Sequence, residues 1–265
     1  MEVVGMATVL ALIAVLQIAA VHVEHVSVPG PNGESLDAAL VLPEGTAKTP
    51  SVVALHGCGG MFPARDAQWA VELVKAGHIV LLPDSFGSRG LGSQCGVKER
   101  EVTPEGLRRQ DAIDAAQWLV QRPGTPSGGV ALLGWSNGGA TVLATARAAS
   151  DLPSGLFRRF AAFYPGCSED DDASWRPAAP VMILVGESDD WTPAAPCHDL
   201  QARHPHEITL LSYPGAFHDF DAPDRPVKIR GGAATVPGGF VHAGTNEPAR
   251  EDALTRVPMW LEEAR

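Results

Sequence analysis

A serine set between two glycines opens the chemical reading of this chain, in the stretch Gly134-Trp135-Ser136-Asn137-Gly138-Gly139. It lies between the apolar run 130–133, which suits a strand, and the run 140–146, which suits a helix. A strand that turns sharply into a helix strains the serine backbone and lifts its hydroxyl above the sheet. Only glycine lets strand and helix approach so closely on either side. Ser136 is therefore the candidate nucleophile. A serine hydroxyl attacks only as a base takes its proton, so the motif demands a histidine, and the histidine an orienting carboxylate. The same pattern opens many helices that do no chemistry, so its partners must be found elsewhere in the chain.

Two later stretches supply them. Gly186-Glu187-Ser188-Asp189-Asp190 follows the apolar run 181–185, and Asp189 is preferred as the acid over Glu187 and Asp190. Pro214-Gly215-Ala216-Phe217-His218 follows the run 207–213 and offers His218 as the base. An acid ahead of a helix often serves only as a cap. What singles these residues out is the order serine, acid, histidine, each just after a strand-like run, as in an α/β-hydrolase. A third stretch, His56-Gly57-Cys58-Gly59-Gly60, follows the run 51–55. Its N–H groups offer one half of an oxyanion hole, with Cys58 favoured and Gly59 the alternate; the N–H of Asn137 offers the other.

These positions are useful only if the elements behind them align. Residues 21–28 roughly alternate apolar with polar, turn formers fill 29–33, and 38–42 is a second strand, so the chain opens with a hairpin. Further strands are expected at 51–55, 78–82, 130–133, 160–164, 181–185 and 207–213, and helices at 66–76, 105–120, 140–146, 193–202 and 250–263. Repeated strand–helix units predict an α/β fold, a mostly parallel eight-stranded sheet with helices on both faces. Such sheets bind ligands at the carboxyl ends of their strands, where all three stretches fall.

The 265 residues suit one large domain, read as 24–265 behind an apolar N-terminal segment, 1–23. A formal charge of −11 without a basic tract argues against nucleic acid or an anionic membrane surface as the main partner. From Val3 to Val23 the chain is almost wholly apolar, which fits a secretory signal, a membrane anchor or a buried helix. No Lys or Arg precedes the run, and Ala19-Ala20 offers the small residues of a cleavage site. Export to a periplasmic or extracellular location is the expectation, with an uncleaved membrane-associated helix as the alternative; membrane contact is confined to this segment.

From about residue 24 to its end the chain resembles the dienelactone hydrolase family of α/β-hydrolases. The likeness rests on the three stretches above, on the serine turn, and on Pro83-Asp84-Ser85-Phe86-Gly87. It implies a triad of Ser136, Asp189 and His218 acting on a small-molecule ester or lactone, without a cofactor. Founding members carry a cysteine nucleophile and a glutamate in the oxyanion-loop motif, whereas this chain has Ser136 and the glycine-rich loop around Cys58. Dienelactone itself is therefore not inferred as substrate. Trp135, Phe86, Trp191 and Phe217 flank the motifs and are candidate pocket residues, and Arg89 is a candidate partner for a substrate carboxylate.

The four cysteines are too widely spaced for a zinc site, and His198, His204 and His206 complete no ligand pattern, so no metal is expected. Cys58 and Cys95 follow the third and fourth strands, Cys167 and Cys197 the sixth and seventh, which predicts the disulfides Cys58–Cys95 and Cys167–Cys197. The expected function is ester hydrolysis through an acyl-enzyme. The alternatives are a serine peptidase or polyester-type esterase and, from another class, a catalytically silent, membrane-tethered binding module.

Overall fold

The computed structural model describes residues 3–18, 21–149, 151–167 and 174–263. Eight strands form one sheet: β1 (His22–Pro29), β2 (Ser35–Leu42), β3 (Lys48–Leu55), β4 (His78–Pro83), β5 (Val130–Trp135), β6 (Phe157–Phe163), β7 (Val181–Gly186) and β8 (Ile208–Tyr213). The helices are α1 (Val3–Ile18), α2 (Pro63–Lys75), α3 (Leu107–Gln121), α4 (Asn137–Ala146), α5 (Ala195–Arg203) and α6 (Glu247–Glu262). The strand order is β1-β2-β4-β3-β5-β6-β7-β8. β1 and β2 pair as the antiparallel hairpin read from the sequence, His22 opposite Leu42 and Pro29 opposite Ser35. β2 is antiparallel to β4, and the remaining neighbours are parallel.

Side-chain alternation sends successive strand residues to opposite faces. In β3, Val53 and Leu55 join a core under α3, α4 and α5, while Val52 and Ala54 join one under α1, α2 and α6. The central strands therefore carry apolar residues on both faces, which is why they read as unbroken runs.

The apolar N-terminal segment forms α1, which packs on α2, β1 and β2. Its Val9, Leu12 and Leu16 are fully buried, each such burial being worth about 2 kcal/mol. The Thr8 hydroxyl donates to the Asp84 carboxylate. No described helix is long and apolar enough to cross a membrane, and the Ala19-Ala20 junction lies outside the described residues.

Both expected disulfides are formed, Cys58–Cys95 and Cys167–Cys197, across sequence separations of 37 and 30 residues. Closing loops of that length restricts the unfolded chain by about 3–4 kcal/mol each on the chain-entropy account. An element the sequence did not announce is the antiparallel pair β9 (Lys228–Arg230) and β10 (Val241–Ala243). Three-residue strands are too short to show a period.

Candidate active site

Ser136 sits where β5 turns into α4, with φ 54° and ψ −116°. A non-glycine residue held there stores roughly 1–3 kcal/mol of backbone strain. The turn closes because its glycines have no side chains. A Cβ on Gly134 would lie 2.4 Å from the Gly138 carbonyl oxygen, and one on Gly138 would lie 2.2 Å from the Leu55 carbonyl oxygen. The Ser136 N–H donates to Phe163 O (2.9 Å), which ties the turn to β6. Asn137 is the first residue of α4, so its N–H has no carbonyl within the helix to bond and lies at the positive end of the helix dipole.

The 56–60 loop lies directly against this turn, since a Cβ on Gly57 would come within 3.5 Å of the Ser136 Cβ. His56 holds the loop from within. Its Nδ1 donates to Gly57 O (2.8 Å), and its Nε2 accepts from the Ser85 N–H (3.1 Å), which defines a neutral tautomer. Burial, and then the Arg108 charge, push the His56 pKa well below its ordinary value, in keeping with that state. Gly57 O also accepts from Gly60 N (3.2 Å), and Cys58 O accepts from Gln94 N (2.7 Å). With these carbonyls engaged, the N–H groups of Cys58 and Gly59 on the same peptides are directed the opposite way.

Sequence reasoning missed Arg108. In the first turn of α3 it looks like a solvated cation, yet it is fully buried. Its guanidinium donates to the Asn137 side-chain oxygen (2.6 Å) and to His56 O (2.7 Å), and lies 4.9 Å from the Phe86 ring centre. It thus joins the residue after the serine to the start of the glycine-rich loop. Burial lowers its pKa to about 10, which still leaves it charged at neutral pH.

His218 follows β8 and is buried. Its Nδ1 is 2.7 Å from Asp189 Oδ2. The other oxygen, Asp189 Oδ1, accepts from the N–H groups of Trp191 (2.8 Å) and Thr192 (3.0 Å), and the Thr192 hydroxyl lies 3.1 Å from His218 Nδ1. Burial opposes charging His218, but the Asp189 carboxylate and its hydrogen bond outweigh it and hold the imidazole pKa above its ordinary value. The two alternative acids are engaged elsewhere, Glu187 with His198 (2.8 Å) and Asp190 with His242 (2.7 Å).

Ser136 and His218 line one cavity of about 580 Å³, together with Cys58, Gly59 and Trp191. The Trp191 ring lies 4.7 Å from that of His218. The other four candidates are placed differently. Trp135 is buried in the core, its indole N–H bonded to Asp221 (2.8 Å). Phe86 is buried against His56. Phe217 stacks on His242 and does not line the cavity. Arg89 is bound through two nitrogens to buried Asp111 (both 2.8 Å) and also reaches Glu34, so it braces the β4 loop and does not line the cavity. Trp135 closes β5 and the other three follow strand ends, but Trp135 and Phe86 turn into the core, Arg89 turns to Asp111 and Phe217 turns to His242.

A twisted parallel sheet with the serine turn, glycine-rich loop and Asp189–His218 pair at its strand carboxyl ends defines an α/β-hydrolase. Residues 36–265 match the sequence profile of the Dienelactone hydrolase family. The chain belongs to that family, and with it is a hydrolase of ester-like substrates. Among solved structures it resembles a Klebsiella pneumoniae protein assigned to the dienelactone hydrolases, at 17% identity and TM-score 0.71, covering 92% of this chain and 99% of that one. An Anabaena variabilis dienelactone hydrolase is 25% identical at TM-score 0.61, over 77% and 90% of the two chains. A Pyrobaculum calidifontis esterase is 17% identical at TM-score 0.62, over 98% and 92%. No curated protein sequence matches the chain at a significant level.

Proposed function

We propose that this protein is a serine hydrolase that cleaves carboxylic esters or lactones through an acyl-enzyme. The observation that carries the reading is the 2.7 Å contact between His218 and Asp189, made by a histidine that shares a cavity with the strained Ser136. As Ser136 Oγ bonds to the substrate carbonyl carbon, its proton passes to His218 Nε2. Asp189 holds the Nδ1–H tautomer and stabilises the imidazolium. The N–H groups of Asn137 and Cys58, with Gly59 as the alternate for Cys58, hold the oxyanion. His218 then protonates the departing alcohol, and water repeats the sequence against the acyl-enzyme. No cofactor enters these steps. A silent binding module is the weaker reading, because a binder gains nothing from a strained serine beside a paired histidine.

The direct test is incubation with a fluorophosphonate, followed by peptide mapping, alongside turnover of p-nitrophenyl acetate. The expected result is one phosphonate on Ser136 and loss of turnover in step with labelling. Labelling elsewhere, or turnover that survives full labelling, would exclude the serine mechanism.

Arg108 is assigned a positioning role, fixing the two oxyanion donors relative to each other. Arg108→Met removes both of its hydrogen bonds, and misplacing the donors by about an ångström is expected to lower kcat about 100-fold with a smaller change in KM. Arg108→Lys should recover part of the loss. A kcat equal to wild type in a folded Arg108→Met protein would remove Arg108 from the mechanism.

We further infer an exported location, supported by two disulfides in a chain with no free cysteine among its described residues.

A further inference from the structure

Ser136 stands at a divide between two spaces. The larger, of about 580 Å³, contains His218 and is charged, with Arg65, Arg225, Arg230, Asp219 and Asp224 in its walls. Arg225 and Arg230 both reach Asp219, at 3.3 and 3.0 Å. The smaller, of about 300 Å³, has no histidine in its walls among the described residues. It is lined by Pro104, Ala140, Gly166, Cys167 and Pro196 beside Asn137, and Cys167–Cys197 braces one side. Its one charged wall residue among the described residues, Arg100, directs its Nε to the carbonyls of Gln94 and Val97. Cys58, Ser136 and Trp191 border both spaces.

Proton bookkeeping assigns the two spaces. When Oγ has bonded to the carbonyl carbon, that carbon carries the oxyanion, the acyl substituent and the alcohol oxygen. The carbon–alcohol bond breaks as the alcohol oxygen takes the proton from His218 Nε2, so the alcohol must lie on the His218 side. The oxyanion is held between the loop and the start of α4. The acyl substituent is left with the space that lacks His218. On this basis, and resting on the serine hydrolase reading above, we infer that the 300 Å³ pocket is the acyl site and the charged cavity the alcohol site. The substrate is then an ester joining a compact acid to a polar, hydrogen-bonding alcohol. A volume of about 300 Å³ is at the small end of ligand pockets, which fits a short, medium-chain or single-ring acyl group and is too small for a sixteen-carbon chain. Water that attacks the acyl-enzyme enters from the charged side once the alcohol has gone.

Gly166 makes this testable, because a Cβ added there meets nothing within 4 Å and would project into open space. Two ester series are compared in the full chain. One varies the acid from acetyl through butyryl to hexadecanoyl with p-nitrophenol constant; the other keeps acetyl and varies the alcohol between p-nitrophenol and glycerol. In the wild type, kcat/KM is expected to fall at least tenfold from butyryl to hexadecanoyl. Gly166→Leu should lower the butyryl-to-acetyl ratio at least tenfold, with Gly166→Ala giving a smaller step in the same direction. Arg230→Leu should shift the glycerol-to-nitrophenol ratio. The assignment is overturned if hexadecanoyl is the best acid in the wild type, or if Gly166→Leu moves the alcohol ratio and Arg230→Leu the acyl ratio. The wild-type series stands even where a variant fails to fold. Absence of all ester turnover together with no phosphonate on Ser136 would instead overturn the hydrolase reading, and this one with it.

Discussion

Ser136→Ala is expected to lower kcat by a factor of about 10⁶ while leaving the fold and substrate affinity close to wild type. The size follows from what the hydroxyl does. Without Oγ no acyl-enzyme forms, His218 has no proton to take, and only the oxyanion donors and binding remain; elsewhere, loss of a serine nucleophile costs about that factor. The fold survives because alanine keeps the Cβ that the φ 54° backbone already accommodates, and the half-buried hydroxyl is not part of the core. Turnover of p-nitrophenyl acetate, thermal unfolding and binding of a non-hydrolysed ester analogue measure the three quantities separately. A residual rate within a hundredfold of wild type would mean that another group attacks.

The second large effect is Asp189→Asn, expected to cost about 10⁴ in kcat and to displace the pH profile. Burial favours the neutral ring on His218, as does the Arg230 charge to a smaller extent; the Asp189 charge and hydrogen bond, helped by Asp219, favour the cation, and the sum raises the pKa above 6.5. The base must be neutral to accept the Ser136 proton, so wild-type kcat/KM should rise with pH through a midpoint above 6.5. Asparagine removes the negative charge and leaves the burial in place, so the midpoint of the residual activity should move to lower pH. The amide can also present its NH₂ group to Nδ1 and favour the wrong tautomer, which is why the rate falls so far although the shape is kept. A midpoint that stays fixed, or moves upward, would show that the limb belongs to another group.

The elements behind these groups were legible because the central strands are covered on both faces and the helices are joined to them by short glycine- and proline-rich turns. Runs such as 51–55 and 181–185 read as strands for that reason, and both lie inside observed strands. The sheet order was less accessible. That β4 lies between β2 and β3 depends on α2 carrying the chain back across the sheet, and no residue in β4 records which neighbour it pairs with.

Pocket lining was the least legible. Trp135, Phe86, Phe217 and Trp191 all lie at or after strand ends and are all aromatic, yet only Trp191 faces the cavity. Period and position locate a residue along the chain; they do not say toward which layer a loop side chain turns. Arg89 and Arg108 show the same limit with charge. Both read as loop or helix cations, and both are committed to internal partners, Arg89 to Asp111 and Arg108 to Asn137 and His56.

What the sequence determined by itself is the serine turn, the order of acid and base after it, and the cysteine pairs. Each is written in local spacing, because a turn that needs glycine or a residue that must follow a strand leaves its mark within a few positions. What only the tertiary structure decided is which acid reaches His218, that a buried arginine joins Asn137 to the glycine-rich loop at His56, and that the serine stands between two separate spaces. These depend on side chains distant in sequence meeting across the strand ends, at distances that no local pattern encodes.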